Sequence, residues 1–341
     1  MKRALILAPF ADDQLARLRE SLSVTHESWL QTQRLYDPEE LGARLSEDDV
    51  GFLVVEADFV FDETFEAAPG LELVGICRNA LNHVDLDAAT ARGVLVVNAP
   101  GRNSVAVAEH TLGLMLALAR HIPEADRFVR DGAWTDPVGG YAGFQGSELA
   151  GKTAGIVGLG TIGRLVAQRL GAMGMQLIAH DPYVAQEDGA SAGAELVELD
   201  DLLARADFIL VHAPATESTM GLIGPDALGR MKPTARLINP SAPGVVDEEA
   251  LADALETGRI AGAALDVFEG HPLRENSRLR SLENVLLTPH IGGATSETID
   301  RQSRMIADDI LLVLRGEQPI HLVNPEAWTA RAERPSAQAT D

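Results

Sequence analysis

Two parts of the sequence carry residue types suited to binding a dinucleotide and to moving a proton. A glycine-rich turn, Gly158-Leu159-Gly160-Thr161-Ile162-Gly163, follows an apolar run and precedes a helical pattern, and Asp181 lies 18 residues beyond its last glycine. His290 closes another apolar run, in Thr288-Pro289-His290. An imidazole can act as a general acid or base near neutral pH, so these residues could support proton transfer beside a bound dinucleotide.

The glycine turn has the context that a dinucleotide site requires, with a strand before it and a helix after it. Gly158 permits the tight turn, Gly160 lets the backbone approach a pyrophosphate, and Gly163 lets the helix pack close to the strand. The phosphates would bind at the helix N-terminus. Asp181 would accept hydrogen bonds from the ribose hydroxyls and repel a 2′-phosphate, so the sequence predicts NAD rather than NADP.

These segments belong to two α/β series. In the first, apolar runs at 4–10, 52–55, 73–77 and 94–97 are separated by helical patterns such as 12–20 and 40–46. A second series begins at 152 and contains six strands. Continuous apolar strands alternating with helices predict parallel sheets covered on both faces.

The segments around the second series predict the domain organisation. A long helical pattern spans 104–130, a glycine-rich arm spans 131–150, and a helical pattern returns at about 295–316. We expect a substrate domain from 1–103 plus 296–330 and a cofactor domain from 104–295. The polar residues from Glu326 are expected to fray, with a disordered tail at 331–341.

Composition limits the partners. The 341 residues include 28 Lys+Arg against 51 Asp+Glu, for a formal charge of −23, which disfavours nucleic acid and anionic membranes. The single cysteine, Cys77, excludes an intramolecular disulfide and a cysteine-cluster metal site. Asp207 and His212 lack metal-ligand spacing, so we expect no metal. The sequence predicts a cytoplasmic protein that binds a small-molecule substrate.

Several separate segments together resemble the D-isomer-specific 2-hydroxyacid dehydrogenase family, which includes phosphoglycerate dehydrogenase. The segments that carry the resemblance are 82–103, 107–120, 155–163, 212–219, 231–239, 245–251, 262–268 and 286–295. The resemblance implies two doubly wound domains, with a Rossmann NAD-binding domain inserted in a flavodoxin-like substrate domain. It also implies a homodimer formed through 104–150, and His290 as the acid/base.

The resemblance further implies a set of cofactor contacts. Thr161 and Ile162 would meet the pyrophosphate, and Ala213 and Pro214 would line the adenosine side. Asp266 would accept a hydrogen bond from the nicotinamide amide. The nicotinamide side would be lined, and the site closed, by Pro240, Ser241, Ala242, His290 and Gly293.

Two residues that the family uses are replaced. Ala242 stands where the family places an Arg that holds the substrate carboxylate, and a methyl group cannot pair with an anion. His271 stands where the family places a Glu that supports the acid/base, and Glu269 lies two residues early. A carboxylate beside His290 would favour its protonated form, whereas a second imidazole would not.

Arg78 is the leading candidate for the missing cation. Arg78-Asn79-Ala80 aligns with the family's Gly-x-Gly substrate loop, and one branch of the family carries Arg at the first of these places. A purely structural arginine is the competing interpretation of Arg78. Arg102 is a weaker candidate and fits a structural role better.

Three functions remain open. The first is an NAD-dependent oxidoreductase acting on a 2-hydroxy acid or related substrate through an atypical site. The second is a non-catalytic NAD-binding protein that acts as a sensor or partner-binding module. The third is an enzyme that uses NAD without net oxidation.

Overall fold

The computed structural model describes residues 1–333, and the chain divides into two compact units. Unit 1 joins Met1–Arg102 to the chain from Thr295 onward, and unit 2 is Asn103–Ala294. Both boundaries lie one residue from the predicted positions. Each unit is built on a parallel sheet with helices, so the predicted α/β class is confirmed.

Unit 1 contains a five-stranded parallel sheet in the order β2-β1-β3-β4-β5, which is the flavodoxin-like order. Its strands are β1 Arg3–Ile6, β2 Ser23–His26, β3 Val50–Val55, β4 Leu73–Ile76 and β5 Leu95–Asn98. Its helices are α1 Asp12–Arg19, α2 Trp29–Thr32, α3 Pro38–Glu47, α4 Asp62–Ala67, α5 Leu86–Ala91, α14 Ser296–Leu314 and α15 Pro325–Glu333.

Burial explains which strands of unit 1 the sequence predicts. All residues of β3 are buried, as expected for a strand covered on both faces. β2 lies at the edge of the sheet and has no fully buried residue. Its polar sequence, SVTH, gives no apolar run, and the sequence therefore does not predict it.

Unit 2 contains a seven-stranded parallel sheet in the order β12-β11-β10-β9-β6-β7-β8. Its strands are β6 Thr153–Val157, β7 Gln176–His180, β8 Glu195–Leu196, β9 Phe208–Val211, β10 Arg236–Asn239, β11 Gly262–Leu265 and β12 Val285–Leu287. Its helices are α6 Ser104–Arg120, α7 Ile122–Arg130, α8 Pro137–Gly143, α9 Thr161–Ala172, α10 Gln186–Ser191, α11 Leu199–Arg205, α12 Pro225–Arg230 and α13 Glu248–Glu256. Strand order reverses between β6 and β9, as in a Rossmann domain. The seventh strand, β8, has only two residues and was not predicted.

Three expectations about helices need correction. The stretch 104–130 is two helices, because His121 adopts a left-handed conformation (φ 54°) that ends α6. The arm 131–150 contains α8, whose first turn is capped by the Asp136 side chain. The polar C-terminal stretch is helical through Glu333, because Ala327 and Trp328 pack into the core of unit 1. The rest of the expected tail, 334–341, lies outside the described residues.

No single helix among residues 1–333 is long and apolar enough to cross a bilayer. Only α6 and α7 taken together reach that length and composition, and they are bent by 62° at their junction.

Candidate active site

The candidate cofactor site lies at the carboxyl edge of the sheet in unit 2. β6 and β9 are neighbours there, and the strand order reverses between them. Gly158 directly follows β6, and Ala213 and Pro214 follow β9 after one intervening residue, His212. Ligands of open α/β sheets bind in the crevice at such a reversal, which is where the sequence predicts the dinucleotide.

Each glycine of the turn has a distinct steric reason. Gly158 has φ +94°, and a Cβ there would lie 2.6 Å from the Ala213 nitrogen. A Cβ at Gly163 would overlap the carbonyl oxygen of Gly158. A Cβ at Gly160 would meet no atom within 4 Å. The turn therefore packs tightly against the protein at Gly158 and Gly163. At Gly160 it has open space, where a phosphate group could approach the backbone.

The helix that begins at this turn offers unpaired backbone donors. Gly160 is the N-cap of α9, so no side chain caps the helix, and its first turn contains no acidic residue. Thr161 and Ile162 are its first two residues. Free N–H groups and the helix dipole favour an anion, so the site fits the pyrophosphate of NAD.

Asp181 directly follows β7 and is tied to the glycine turn. One carboxylate oxygen accepts a hydrogen bond from the Leu159 N–H (2.8 Å) and the other from the Tyr183 N–H (3.0 Å). Asp181 and Tyr183 line a groove of about 1080 Å³ along α9. Arg164 lines the same groove, but its guanidinium donates to the carbonyls of Leu159 (3.1 Å) and Asp188 (3.4 Å). We call residues 158–163 with Asp181 the cofactor cradle.

The turn after β10 places Ala242 in the core. The Asn239 side-chain oxygen accepts from the N–H groups of Ser241 (3.2 Å) and Ala242 (3.4 Å), and its amide donates to the Ala242 carbonyl (3.1 Å). Ala242 is 8% exposed and packs in the hydrophobic core of unit 2. Pro240 is also buried. The position where the resemblance implies an Arg is therefore a buried methyl group.

The Asp266 carboxylate is already engaged by the protein. Its oxygens accept hydrogen bonds from the Thr288 hydroxyl (2.6 Å), the Ile291 N–H (2.9 Å) and the Gly292 N–H (2.8 Å), and His110 Nε2 lies 3.4 Å away. Burial raises the pKa of the Asp266 carboxyl, and hydrogen bonds from His110, Thr288 and the two amides lower it. The hydrogen bonds outweigh burial, so the pKa lies below its ordinary value. The residue expected to meet the nicotinamide amide thus holds the turn that follows His290.

His290 and His271 are brought together. Their ring centroids are 5.1 Å apart, with the ring planes at 63°. His290 adopts φ +56°, and its N–H donates to the Thr288 carbonyl (3.0 Å). Glu269 is exposed, and its N–H donates to the Glu248 carboxylate (2.5 Å). We call Ala242, His271 and His290 the acid/base end of unit 2.

Two glycines complete the turn after His290. A Cβ at Gly292 would lie 3.0 Å from Asp266 Oδ2, and a Cβ at Gly293 would lie 3.0 Å from Asn103 Nδ2. Both contacts are tighter than ordinary van der Waals distances, so a side chain at either position would displace a neighbour. The turn is closely packed on its inner side.

In unit 1, Arg78 lies two residues after the carboxyl end of β4. The next two residues in the chain, Asn79 and Ala80, are exposed. Arg78 is half-buried, and burial lowers the pKa of its guanidinium, against the opposing effect of Glu56. Arg102 is ion-paired with Glu56 (2.6 Å), which supports the structural role expected for it. Within residues 1–333, no acceptor is within hydrogen-bond reach of the Arg78 guanidinium.

Asp207 and His212 are each engaged in packing or hydrogen bonds within unit 2. The Asp207 carboxylate pairs with Lys232 Nζ (3.0 Å) and accepts from the Thr153 N–H (2.9 Å). His212 is buried beside the glycine turn, and burial lowers its pKa to about 4. No group of three His, Cys, Asp or Glu side chains within residues 1–333 is arranged to hold a metal ion.

Sequence reasoning missed His110 and the role of Asn239. His110 stands in the VAEHTLG segment, where a polar residue on an otherwise apolar helix is the available signal. Its partners, Thr288 and Asp266, lie far along the chain, so no local spacing connects them.

Known proteins resemble this chain over most of its length. The family model for the NAD binding domain of D-isomer specific 2-hydroxyacid dehydrogenases matches residues 112–292. The D-3-phosphoglycerate dehydrogenase of Mycobacterium tuberculosis strain H37Rv is 47% identical over 281 residues, covering 82% of this chain and 52% of that protein. The chain thus spans about half the length of such phosphoglycerate dehydrogenases.

Two further proteins match over nearly their whole length. The glyoxylate reductase of Thermofilum pendens is 41% identical over 294 residues, covering 86% of both chains. The apo-structure of D-lactate dehydrogenase from Escherichia coli superposes with a TM-score of 0.80 at 28% identity, covering 95% of this chain and 100% of that chain. The chain therefore belongs to the D-isomer specific 2-hydroxyacid dehydrogenase family, and unit 2 is its NAD-binding domain.

Proposed function

We propose that the protein transfers a hydride between NAD and the CH–OH/C=O carbon of a 2-hydroxy acid or a related substrate. The observation that carries this proposal is His290, which follows β12 at the same sheet edge as the cofactor cradle. Because the strands are parallel, their carboxyl ends meet at one edge, and the proton carrier and the cofactor site share that edge of unit 2.

The protein's own part in the reaction is proton transfer and orientation. The nicotinamide, when bound, accepts or supplies the hydride. His290 takes the hydroxyl proton during oxidation and returns it during reduction. The cofactor is NAD rather than NADP, because the Asp181 carboxylate would repel a 2′-phosphate.

Arg78 supplies the charge that Ala242 lacks. In unit 1 the Arg102 charge is compensated by Glu56, whereas the Arg78 guanidinium has no acceptor within residues 1–333. A half-buried guanidinium binds a carboxylate through charge-assisted hydrogen bonds. We therefore assign Arg78 to the substrate carboxylate, together with Asn79 and Ala80 beside it.

The test is a panel of 2-hydroxy acids and matched alcohols, followed by the absorbance of NADH. A 2-hydroxy acid should be oxidised, and Arg78→Met should raise its KM by about tenfold or more, as expected for loss of a charged hydrogen bond. Arg92→Met is the matched control, because Arg92 is ion-paired with Asp62 instead (2.7 Å). An unchanged KM in Arg78→Met would exclude Arg78 as the anchor.

The replacements at the acid/base end favour one alternative, a non-catalytic NAD-binding protein that acts as a sensor or partner-binding module. Such a protein would bind NADH but oxidise no member of the panel. The double variant Ala242→Arg with His271→Glu examines this alternative. Turnover that appears only in the double variant would show that these two positions alone withhold ordinary activity.

We also propose a homodimer formed through 104–150. This segment exposes several large apolar side chains: Val105, Leu116, Ile122, Val129, Trp134, Val138 and Tyr141. Burying them against a second copy would remove apolar area from water. Light scattering should give twice the chain mass, and Tyr141→Asp with Val138→Asp should shift it towards the monomer.

A further inference from the structure

His110 belongs to a buried polar cluster that the reaction itself does not require. It lies on α6, and its side chain is 19% exposed. Nε2 is 3.3 Å from the Thr288 hydroxyl and 3.4 Å from Asp266 Oδ1. A Cβ at Gly292 would lie 3.4 Å from His110 Cδ2, so the imidazole also packs against the turn that follows His290.

The donors and acceptors in this cluster have a defined direction. An ionised carboxylate can only accept, so the Thr288 hydroxyl proton points to Asp266 Oδ1 at 2.6 Å. The Thr288 oxygen then retains lone pairs that can accept a hydrogen bond from His110 Nε2–H. His110 therefore supports Asp266 through the Thr288 hydroxyl and by its own approach to Oδ1 at 3.4 Å, and Asp266 in turn accepts from the Ile291 and Gly292 amides.

Asp266, the last acceptor in this hydrogen-bond network, holds the backbone that follows His290. His290 has φ +56°, a left-handed conformation that a non-glycine residue adopts at an energetic cost. Such a conformation persists when surrounding contacts impose it. The two amides that follow His290 are both fixed by Asp266, so the orientation of the His290 ring depends on where that carboxylate is held.

We propose that His110 is a positioning residue that fixes the His290 turn through Thr288 and Asp266. The proposal rests on the proposed role of His290 as acid/base. His110 does not contact substrate or cofactor in this role; it keeps Asp266 committed to the turn.

The experiment compares His110→Leu, which removes the donor, with His110→Gln, whose amide nitrogen can reach the place of Nε2. Amide hydrogen exchange at Ile291 and Gly292 is measured together with the NADH dissociation constant, so the result does not depend on a known substrate. His110→Leu should speed exchange at both amides by about tenfold, the effect of weakening one buried hydrogen bond, and His110→Gln should restore most of the protection. Glu109→Gln, the exposed neighbour on α6, is the matched control and should change neither measurement.

Turnover separates positioning from simple structural support. With a substrate from the panel, His110→Leu should lower kcat while KM stays near its original value, and His110→Gln should recover kcat. Unchanged exchange at Ile291 and Gly292 in His110→Leu would overturn the proposal, and so would faster exchange with an unchanged kcat. If His110→Leu does not fold, Thr288→Val removes the next donor in the chain and must give the same pattern of exchange.

Should no substrate turn over, the proposed function fails, but the exchange measurement still decides whether His110 holds the turn.

Discussion

The cofactor cradle and the acid/base end lie along one sheet edge of unit 2, yet they depend on different features of the chain. The cradle keeps its glycines, its uncapped helix and Asp181. At the acid/base end the His271 ring lies beside His290, and Ala242 is a buried methyl group where the resemblance implies an Arg. The cradle depends on backbone conformation, which few sequences can supply. The acid/base end depends on individual side chains, which a single substitution can exchange while the fold is kept.

The largest expected effect is a loss of turnover when the acid/base end is changed and the cofactor cradle is left intact. His290→Gln should lower kcat/KM by about 10²–10⁴-fold, because it removes the proton carrier. It should change the NADH dissociation constant far less, because the cradle, which binds the pyrophosphate and the ribose, is untouched. Steady-state kinetics and NADH fluorescence measure the two quantities, and His26→Gln in unit 1 is the control. Full activity in His290→Gln would mean that another group carries the proton.

The reverse experiment damages the cradle alone. Gly163→Ala places a methyl group against the Gly158 carbonyl, and such overpacking should weaken NADH binding by about one to two orders of magnitude. Gly171→Ala on the same helix is the matched control, because a Cβ there would meet only the Leu177 side chain at 3.6 Å. Equal affinities in the two variants would contradict the steric explanation of the turn.

A smaller effect is expected on the preference for NAD over NADP when Asp181 of the cradle is replaced. Asp181→Ser should weaken NAD binding by about tenfold, through loss of charged hydrogen bonds, and should improve the affinity for NADP. Competition between the two nucleotides against NADH fluorescence gives both values. Asp188→Ser, an exposed aspartate on α10, is the control. An unchanged preference would indicate that Asp181 serves only to fix Leu159 and Tyr183.

The smallest expected effect is on stability. Burial lowers the pKa of His212 to about 4, against roughly 6.5 in an unfolded chain. Between those values the unfolded state binds the proton and the folded state does not, so stability falls as pH drops from about 6.5 to 4.

Thermal unfolding in His212→Leu should therefore depend less steeply on pH over that range. Part of the slope should remain, because burial, followed by the Arg78 charge, also lowers the pKa of His83 to about 4. Identical slopes in the wild type and the variant would show that His212 becomes protonated without unfolding.

Sequence patterns predicted the strands that carry apolar runs, including the edge strands β5 and β12, and missed the polar edge strand β2 and the two-residue edge strand β8. β3 and β9 are continuous apolar runs with all residues buried. β2 and β8 pair on one side only and keep exposed or half-buried residues, so their sequences carry no apolar signal. The helix α15 also gives a weak apolar signal. It is a polar, alanine-bearing stretch that contributes Ala327 and Trp328 to the core of unit 1.

The amino-acid sequence by itself determined the cofactor class, the two α/β units and the place of His290 at the carboxyl edge of the sheet in unit 2. These features are local, since a positive φ at Gly158, a helix N-terminus at Gly160 and an acid after the next strand are encoded in one short segment. Only the tertiary structure decided the neighbours of His290. Whether His271 contacts it, and whether His110 reaches Asp266, depends on loops and a helix far apart in the chain. Chain folding brings them together, and no residue spacing records those distances.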